Sequence, residues 1–421
     1  MRVNSKVGSG GDAHAASGEG ATSSITVDRE LGGDAFGRSF VHVQKQHGKP
    51  VMAQVREMAK LAFGKGKVSP GEYFDLRLYD DSLSWEQKTE FAGVKAAQRC
   101  WKICNYDPGW RGLVWDKSAV YALLAGNGFP VPETLAVLHQ SRRFNGIETL
   151  RTAEELCRFL MESGSYPLFC KPNNSLQSLG SIALSSADPK RQVLLTAEGQ
   201  ELPVADFAAI VSRYADQGYL VQKQLTPDPA LRKTVGDAVS TVRVVTINSS
   251  QGPKVSRALW KVPGARNFAD NFWRQGNMLA GLDYDSGRVR RLLTGTGIGQ
   301  QLLDVLPQSG TPTGDLAVPG WDSLLDLARA AADALPRLRL IGWDIAPTDT
   351  GPVIIEANDT PDFALPQYAD HRGMLDAEFE AFLEDCNSQR KRDVANARQG
   401  FKDYIGKDMR RLVQQSGLTD S

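Results

Sequence analysis

The sequence predicts an α+β fold, on three observations. Residues 33–105 repeat apolar groups at three- and four-residue steps, the period of helices. Beyond Tyr106, strand-like runs and amphipathic helices alternate without the strict order of a parallel βαβ sheet. Two strand pairs are joined by turn residues alone, through Asp285-Ser286-Gly287 and through Thr348–Gly351, which gives the sheets a long antiparallel component.

The elements follow in chain order. Residues 1–30 are Gly, Ala and Ser with few large apolar groups; they bury too little to order themselves and read as a flexible tail. Residues 31–110 read as a helical layer, with "PVMAQVREMAKLAFG" its clearest helix. Ser69-Pro70 marks one helix start, and Asp81 or Ser82 another. "WDKSAVYALLAGNGFPVPETLAVL" reads as a helix, a glycine stop and a strand entered through Pro130 and Pro132. Thr152 and Glu155 form a capping box before "AEELCRFL". "YPLFCKP" is a short strand, "ADFAAIVSRYADQG" a helix, and "YLVQKQL" and "STVRVVTIN" are strands by alternation and β-branched content. "KVSRALWKVP" and the pair around "DYDSG" continue the strands. "WDSLLDLARAAADAL" is an amphipathic helix, and "LRLIGWDIAP" and "PVIIEAN" are strands. From about Leu375 the chain returns to helix. The expected division is a central α+β region over 111–385, in halves meeting near 225, and a helical tail over 386–421.

Composition narrows the function. The 421 residues are enough for two or three domains. The 49 basic and 49 acidic side chains cancel, which argues against a protein that coats nucleic acid. The 5 cysteines lack zinc-site spacing and read as reduced thiols. No apolar run reaches the roughly 18 residues of a membrane span, and the N-terminus lacks a signal-peptide core. A cytoplasmic protein is the expectation.

Chemistry concentrates in "LIGWDIAPTDTGPVIIEAND". Side chains alternate faces along a strand, so Glu356 and Asn358 share one face, and pairing around the turn brings Asp344 toward them. Two carboxylates and an amide oxygen suit Mg²⁺ (or Mn²⁺), which fills its other positions with water and phosphate. A hairpin with solvated acids has the same pattern. Lys171 ends a strand, followed by a polar loop and Gly180; a lysine there reaches phosphates, and Ser178 with loop amides covers them. An ordinary surface hairpin also fits. The edge of "YLVQKQL" offers backbone groups that suit an adenine.

As an ordered set, "DKSAVYALLAGNGFPVPET", "PLFCKPNNSLQSLG", "YLVQKQL" and "GWDIAPTDTGPVIIEANDTP" resemble the ATP-grasp superfamily over about residues 116–366. "STVRVVTI", "DNFWRQGNMLAGLDYDSGRV" and the segment leading into Asp344 are similar to its sugar-transfer-associated branch, related to α-L-glutamate-ligase-like proteins. The resemblance implies an ATP-grasp fold, two α+β subdomains gripping ATP, behind a helical N-terminal extension. It implies that Lys117 and Lys171 contact nucleotide phosphates, that Ser178 and Gly180 belong to the covering loop, and that Gln222, Lys223 and Leu225 form the adenine hinge. It implies Asp344, Glu356 and Asn358 as Mg²⁺ ligands and Arg243 as a contact of the transferred phosphate or an acceptor carboxylate. Gln222 stands where many relatives carry Glu, the loop "NNSLQSLG" is poor in glycine, and Asp362 stands where a glycine often follows the proline.

The reaction this implies is carboxylate–amine ligation through an acyl phosphate, with a context near cell-surface polysaccharide or peptide synthesis. A kinase acting on a hydroxyl and a non-catalytic nucleotide-binding scaffold remain alternatives. His371, Lys261 beside Trp260, and Arg274 beside Trp273 are candidates for acceptor or phosphate contacts. "TGTGIG" lacks the spacing of a dinucleotide fingerprint and reads as a substrate-side loop or a plain turn.

Overall fold

The computed structural model describes residues 33–403 except 175–179, 266 and 268–269. The expected N-terminal tail, the last part of the C-terminal tail and Ser178 lie outside the described residues.

The N-terminal layer comprises α1 (Gly33–His47), α2 (Val51–Phe63), α3 (Pro70–Asp75), α4 (Trp85–Thr89) and α5 (Val94–Cys104). Ser69 caps α3 in a full capping box with Glu72. The start expected at Asp81 or Ser82 falls instead at Ser84, whose hydroxyl accepts from Gln87 N while Gln87 reaches back. Asp80 explains the displacement: its carboxylate accepts from Ser82 N and holds residues 80–82 in a turn. Next come α6 (Pro108–Trp115) and α7 (Lys117–Gly126), with Asp116 capping α7.

The first sheet contains β1 (Thr134–Leu138), β2 (Glu148–Leu150), β3 (Leu168–Pro172), β4 (Ile182–Asp188), β5 (Val193–Thr196), β6 (Glu201–Pro203) and β7 (Tyr219–Lys223), with helices α8 (Ala153–Glu162) and α9 (Val204–Val211). Its strand order is β2-β1-β7-β3-β4-β5-β6. Thr152 caps α8, but Glu155 bonds Arg151 N rather than closing the expected box on Thr152. Leu156, Leu160, Phe207 and Val211 bury the inner faces of α8 and α9 against this sheet.

A short helix α10 (Pro229–Thr234) leads into the second sheet: β8 (Thr241–Ser249), β9 (Gly252–Val262), β10 (Met278–Leu282), β11 (Val289–Thr294), β12 (Gln301–Leu302), then α11 (Trp321–Asp333), β13 (Leu340–Thr348) and β14 (Gly351–Asn358). The order is β12-β11-β10-β9-β8-β13-β14. Helices α12 (Ala364–Asp370) and α13 (Ala377–Asp403) complete the described residues; residue 386, where a tail was expected to begin, lies inside α13. One face of this sheet, with Trp260, Trp343 and Val242, packs on α11 through Leu324 and Ala328. On the other face Leu259, Leu279 and Leu293 meet Tyr73 and Phe74 of the N-terminal layer. Gly297 turns tightly against α3, where an added Cβ would lie 3.0 Å from Asp75 Oδ1, so "TGTGIG" is a packed turn. All 5 cysteines are free thiols, four of them buried. Among the described residues no helix is long and apolar enough to cross a membrane.

Candidate active site

The strand registers place charge on one face of the second sheet. Arg243 on β8 lies opposite Asp344 on β13, and Asp344 lies opposite Glu356 on β14. Thr241, two residues before Arg243 and therefore on the same face, lies opposite Lys261 on β9. Arg243 grips Asp344 through both oxygens, Nε to Oδ1 at 2.5 Å and Nη2 to Oδ2 at 2.9 Å. Lys261 Nζ donates to Oδ2 of the same carboxylate at 3.1 Å and stands 3.6 Å from Asp270. Burial pushes the Asp344 carboxyl up, but the two cations outweigh it and hold Asp344 well below the ordinary carboxylate range. Asp270 lacks that surplus of positive charge, and burial raises its carboxyl.

Helix α7 supplies the opposing charge. Lys117 Nζ lies 3.0 Å from Glu356 Oε1. Lys171 on β3 is buried and donates to Tyr121 Oη at 2.8 Å. Tyr121 in turn donates to the Ile355 carbonyl. That carbonyl is available because β14 bulges there: Asp344 pairs with Glu356 but Ile345 pairs with Ile354, leaving Ile355 without an opposite residue. The bulge also lets consecutive side chains, Ile355 and Glu356, line one cavity. Burial lowers the Lys171 ammonium to about 8, against the opposing pull of Glu356 and Asp344. Asn173 fixes the two lysines relative to each other. Its amide oxygen accepts from Ser118 N at 2.8 Å and its nitrogen donates to Asp116 at 2.9 Å, tying the start of α7 to the end of β3.

Between the sheets lies a cavity of about 590 Å³, within the range of small-ligand sites. Phe169, Ala183, Leu225 and Ile355 line it with apolar surface, while Lys117, Lys171, Lys261, Asp344 and Glu356 supply charge. Gln222 and Lys223 also line it, Gln222 donating to Thr134 Oγ1 at 3.0 Å. Eight of the residues singled out in the sequence, Lys261 among them, therefore meet at one cavity. Arg243, Asn358 and Gly180 are not among its lining residues; Ser181, next to Gly180, is. Gly180 takes φ +76 and its carbonyl accepts from Tyr219 Oη.

The sequence from residue 104 to 381 matches the model of the sugar-transfer associated ATP-grasp family. The chain belongs to that family. The structure is also similar to the ATP-grasp ligase PsnB, solved with a minimal precursor, at 18% identity and TM-score 0.34 over 67% of this chain and 64% of that one. The chain thus spans less than two thirds of PsnB. A D-alanine–D-alanine ligase from Bacillus anthracis matches at 15% identity and TM-score 0.36, over 67% of this chain and 70% of that one. The D-alanine–D-alanine ligase from Coxiella burnetii matches at 12% and 0.39, over 68% and 62%. No curated protein matches the chain by sequence.

This ATP-grasp chain has a donor set that fits a hard divalent cation. Asp344 and Glu356 are register partners, and Asn358 follows on the same strand face as Glu356. Asn358 turns its amide nitrogen into buried space with no partner; a half-turn of the amide would present an oxygen there, the atom such a cation takes. Among the described residues no three His, Cys, Asp or Glu side chains gather to hold a metal alone.

Other expectations change. Trp260 is fully buried and donates to Ser240 Oγ, while Lys261, on the opposite face, reaches the cavity. The pair does not line one pocket because neighbouring strand residues face opposite ways. Trp273 packs edge-on against Phe272 and Tyr368. His371 is not in the cavity wall; it is half-buried beside Phe91, and burial lowers its imidazole to about 4, helped by Arg291 and Arg77. Asp362 caps Ala364 N and lines a separate cavity of about 130 Å³ with Trp101, Trp273 and Tyr368. The residues missed in the sequence are Asp270, Tyr121 and Asn173. Only Asn173 carried a signal, as the first polar residue after the Lys171 strand.

Gly342 is a positional requirement of the site. A Cβ there would lie 2.9 Å from Pro361 Cβ and 3.3 Å from Arg243 Cδ. Gly342→Ala is expected to cost about 1–3 kcal/mol of stability by overpacking and to displace the guanidinium from Asp344. Denaturant unfolding together with ATP turnover checks this: turnover should fall even where the variant is fully folded.

Proposed function

We propose that this chain is an ATP- and Mg²⁺-dependent carboxylate–amine ligase. The observation that carries the reading is the lining of the cavity: Phe169, Ala183, Leu225 and Ile355 with the Gln222 and Gln224 amides offer a surface to a purine, while Lys117, Lys171 and Lys261 with Asp270, Asp344 and Glu356 offer charged partners to a triphosphate and its cation. Gln222, Lys223 and Leu225 receive the adenine. Lys117 and Lys171 bind phosphate oxygens, and Arg243 orients Asp344 and adds positive charge behind it. Ser178 and Gly180 belong to the segment that covers the phosphates. Asp344, Glu356 and Asn358 would hold Mg²⁺, which neutralises phosphate charge when bound.

A substrate carboxylate oxygen attacks the γ-phosphorus, forming an acyl phosphate and releasing ADP. A neutral amine then attacks the acyl carbon; the C–N bond forms, the bond to phosphate oxygen breaks, and phosphate leaves as the nitrogen loses a proton. The protein's part is positioning and electrostatics, since lysines fixed in a buried site need no reorganisation as charge moves. The smaller cavity beside Asp362 joins carboxylates to indole and phenol rings, a lining that suits an ammonium group. A setting in cell-surface polysaccharide or peptide synthesis is part of this proposal.

The test is product analysis with panels of carboxylates and amines, for wild type and Glu356→Gln. The ligase reading expects amine-dependent release of ADP with equimolar free phosphate, reduced about 100-fold or more in Glu356→Gln. ADP release without free phosphate would show a kinase. Tight ATP binding with no turnover across the panels would favour a nucleotide-binding scaffold.

A further inference from the structure

A second charged site lies outside the ATP cavity, in the groove between α5 and α13. Helix α5 packs on α13 because Ala97, Cys100 and Cys104 bury against Phe379, Phe382 and Cys386. Along the outer edge of that contact, Lys95, Arg99 and Lys102 of α5 face Asn387, Arg390 and Lys391 of α13. No carboxylate lines the groove, although acids and bases balance across the chain.

Four other arginines are ion-paired, Arg111 with Asp359, Arg191 with Glu201, Arg329 with Asp326 and Arg339 with Asp385. Among the described residues Lys95, Arg99, Lys102 and Lys391 form no ion pair, and all four are exposed. Arg390 bonds Asn387 Oδ1 through Nη2 at 3.0 Å, but its Nε is buried without a partner. Like charges one helical turn apart repel, so the α5 stripe is destabilising unless something anionic sits beside it. The helix rise separates Lys95 from Arg99 by about 6 Å and Arg99 from Lys102 by about 4.5 Å along one line.

We infer that this groove binds a linear polyanion of phosphate groups, read by charge along its length rather than by any base. The groove is shallow and open to solvent, and cations on both of its walls bracket a single chain lying along it, whereas a flat anionic surface would reach one wall at a time. Arginine forks and lysine point charges both suit phosphate oxygens. None of the groove residues lines the ATP cavity, so this binding stands independently of the proposed ligation.

Calorimetric titration of the full chain with inorganic polyphosphate, at low and physiological salt, tests it. Four to five phosphate contacts on a single chain predict that affinity falls by roughly 50- to 130-fold between about 50 and 200 mM salt. Combining Lys95→Gln, Arg99→Gln and Lys391→Gln is expected to weaken binding at least tenfold while leaving thermal stability unchanged or raised and ATP turnover intact. Absence of binding at low salt, or undiminished binding in the triple variant, overturns the inference. So does equal affinity for single phosphate ions, which would remove the need for a chain. Base-dependent binding of an oligonucleotide in preference to polyphosphate would make the groove a nucleic-acid interface instead. Binding only to vesicles containing phosphatidylglycerol would make it a membrane-facing surface.

Discussion

Asp344→Ala is expected to destabilise the fold by about 3–5 kcal/mol and to remove ATP turnover. The stability cost comes from what is left behind. Arg243 and Lys261 are both buried, and Asp344 is the carboxylate both of them bond. Removing one partner of a buried ion cluster costs more than the pair itself contributes, because the remaining charges keep their desolvation penalty. Asp344→Asn keeps the shape and should cost less stability but equally abolish turnover. The carboxyl lies below its unfolded value, so its contribution is present above about pH 4 and is lost as pH falls toward the folded pKa. Acid unfolding monitored by circular dichroism should therefore show wild type losing stability below about pH 4 more steeply than Asp344→Asn.

Lys171→Met should lower kcat by about 100- to 1000-fold with little loss of stability. The buried ammonium has one neutral hydrogen-bond partner, Tyr121 Oη, and methionine fills a similar volume without a charge to desolvate. The pH dependence separates the two states of the lysine. With its folded pKa lowered to about 8, the ammonium is present below that value and lost above it. Nucleotide affinity in wild type should therefore decline as pH rises through about 8, and Lys171→Met should lack that decline. Stability runs the other way. Between about 8 and the unfolded lysine value near 10.4 the unfolded chain holds the extra proton, so wild-type stability rises with pH across that window. A flat stability profile in wild type over that range would contradict the assignment of a buried, charged Lys171.

The hairpin carrying Asp344 and Glu356 was readable because strand periodicity is short-range: polar residues at every second position of an apolar run mark one face. Lys171 stood out in the sequence only as a lysine at a strand end before a polar loop, a pattern that an ordinary surface hairpin shares, and the resemblance singled it out. The alternating strands, the amphipathic α11 and the caps of α3 and α8 follow from the same local rules. What escaped depends on partners distant in sequence. The bulge at Ile355 exists only once β13 has paired, and it is what turns Glu356 and Ile355 into one cavity and gives Tyr121 its acceptor. The two bonds of Lys261 to Asp344 and Asp270 join β9, β13 and the segment after β9. The capping position was misread at Asp81 because two equivalent polar residues lie within one turn, and only the Asp80 turn selects Ser84. Arg243 was placed beside phosphate by resemblance; the register sets it beside Asp344 on the same sheet face, and it is not among the residues that line the cavity.

The most direct test of the site is a crystal structure with Mn²⁺ and a non-hydrolysable ATP analogue, read by the anomalous signal of the metal. The account predicts the triphosphate over Lys117 and Lys171 and a manganese peak bounded by Asp344, Glu356 and Asn358. A nucleotide bound elsewhere, or a metal peak that none of these three side chains touches, would contradict it.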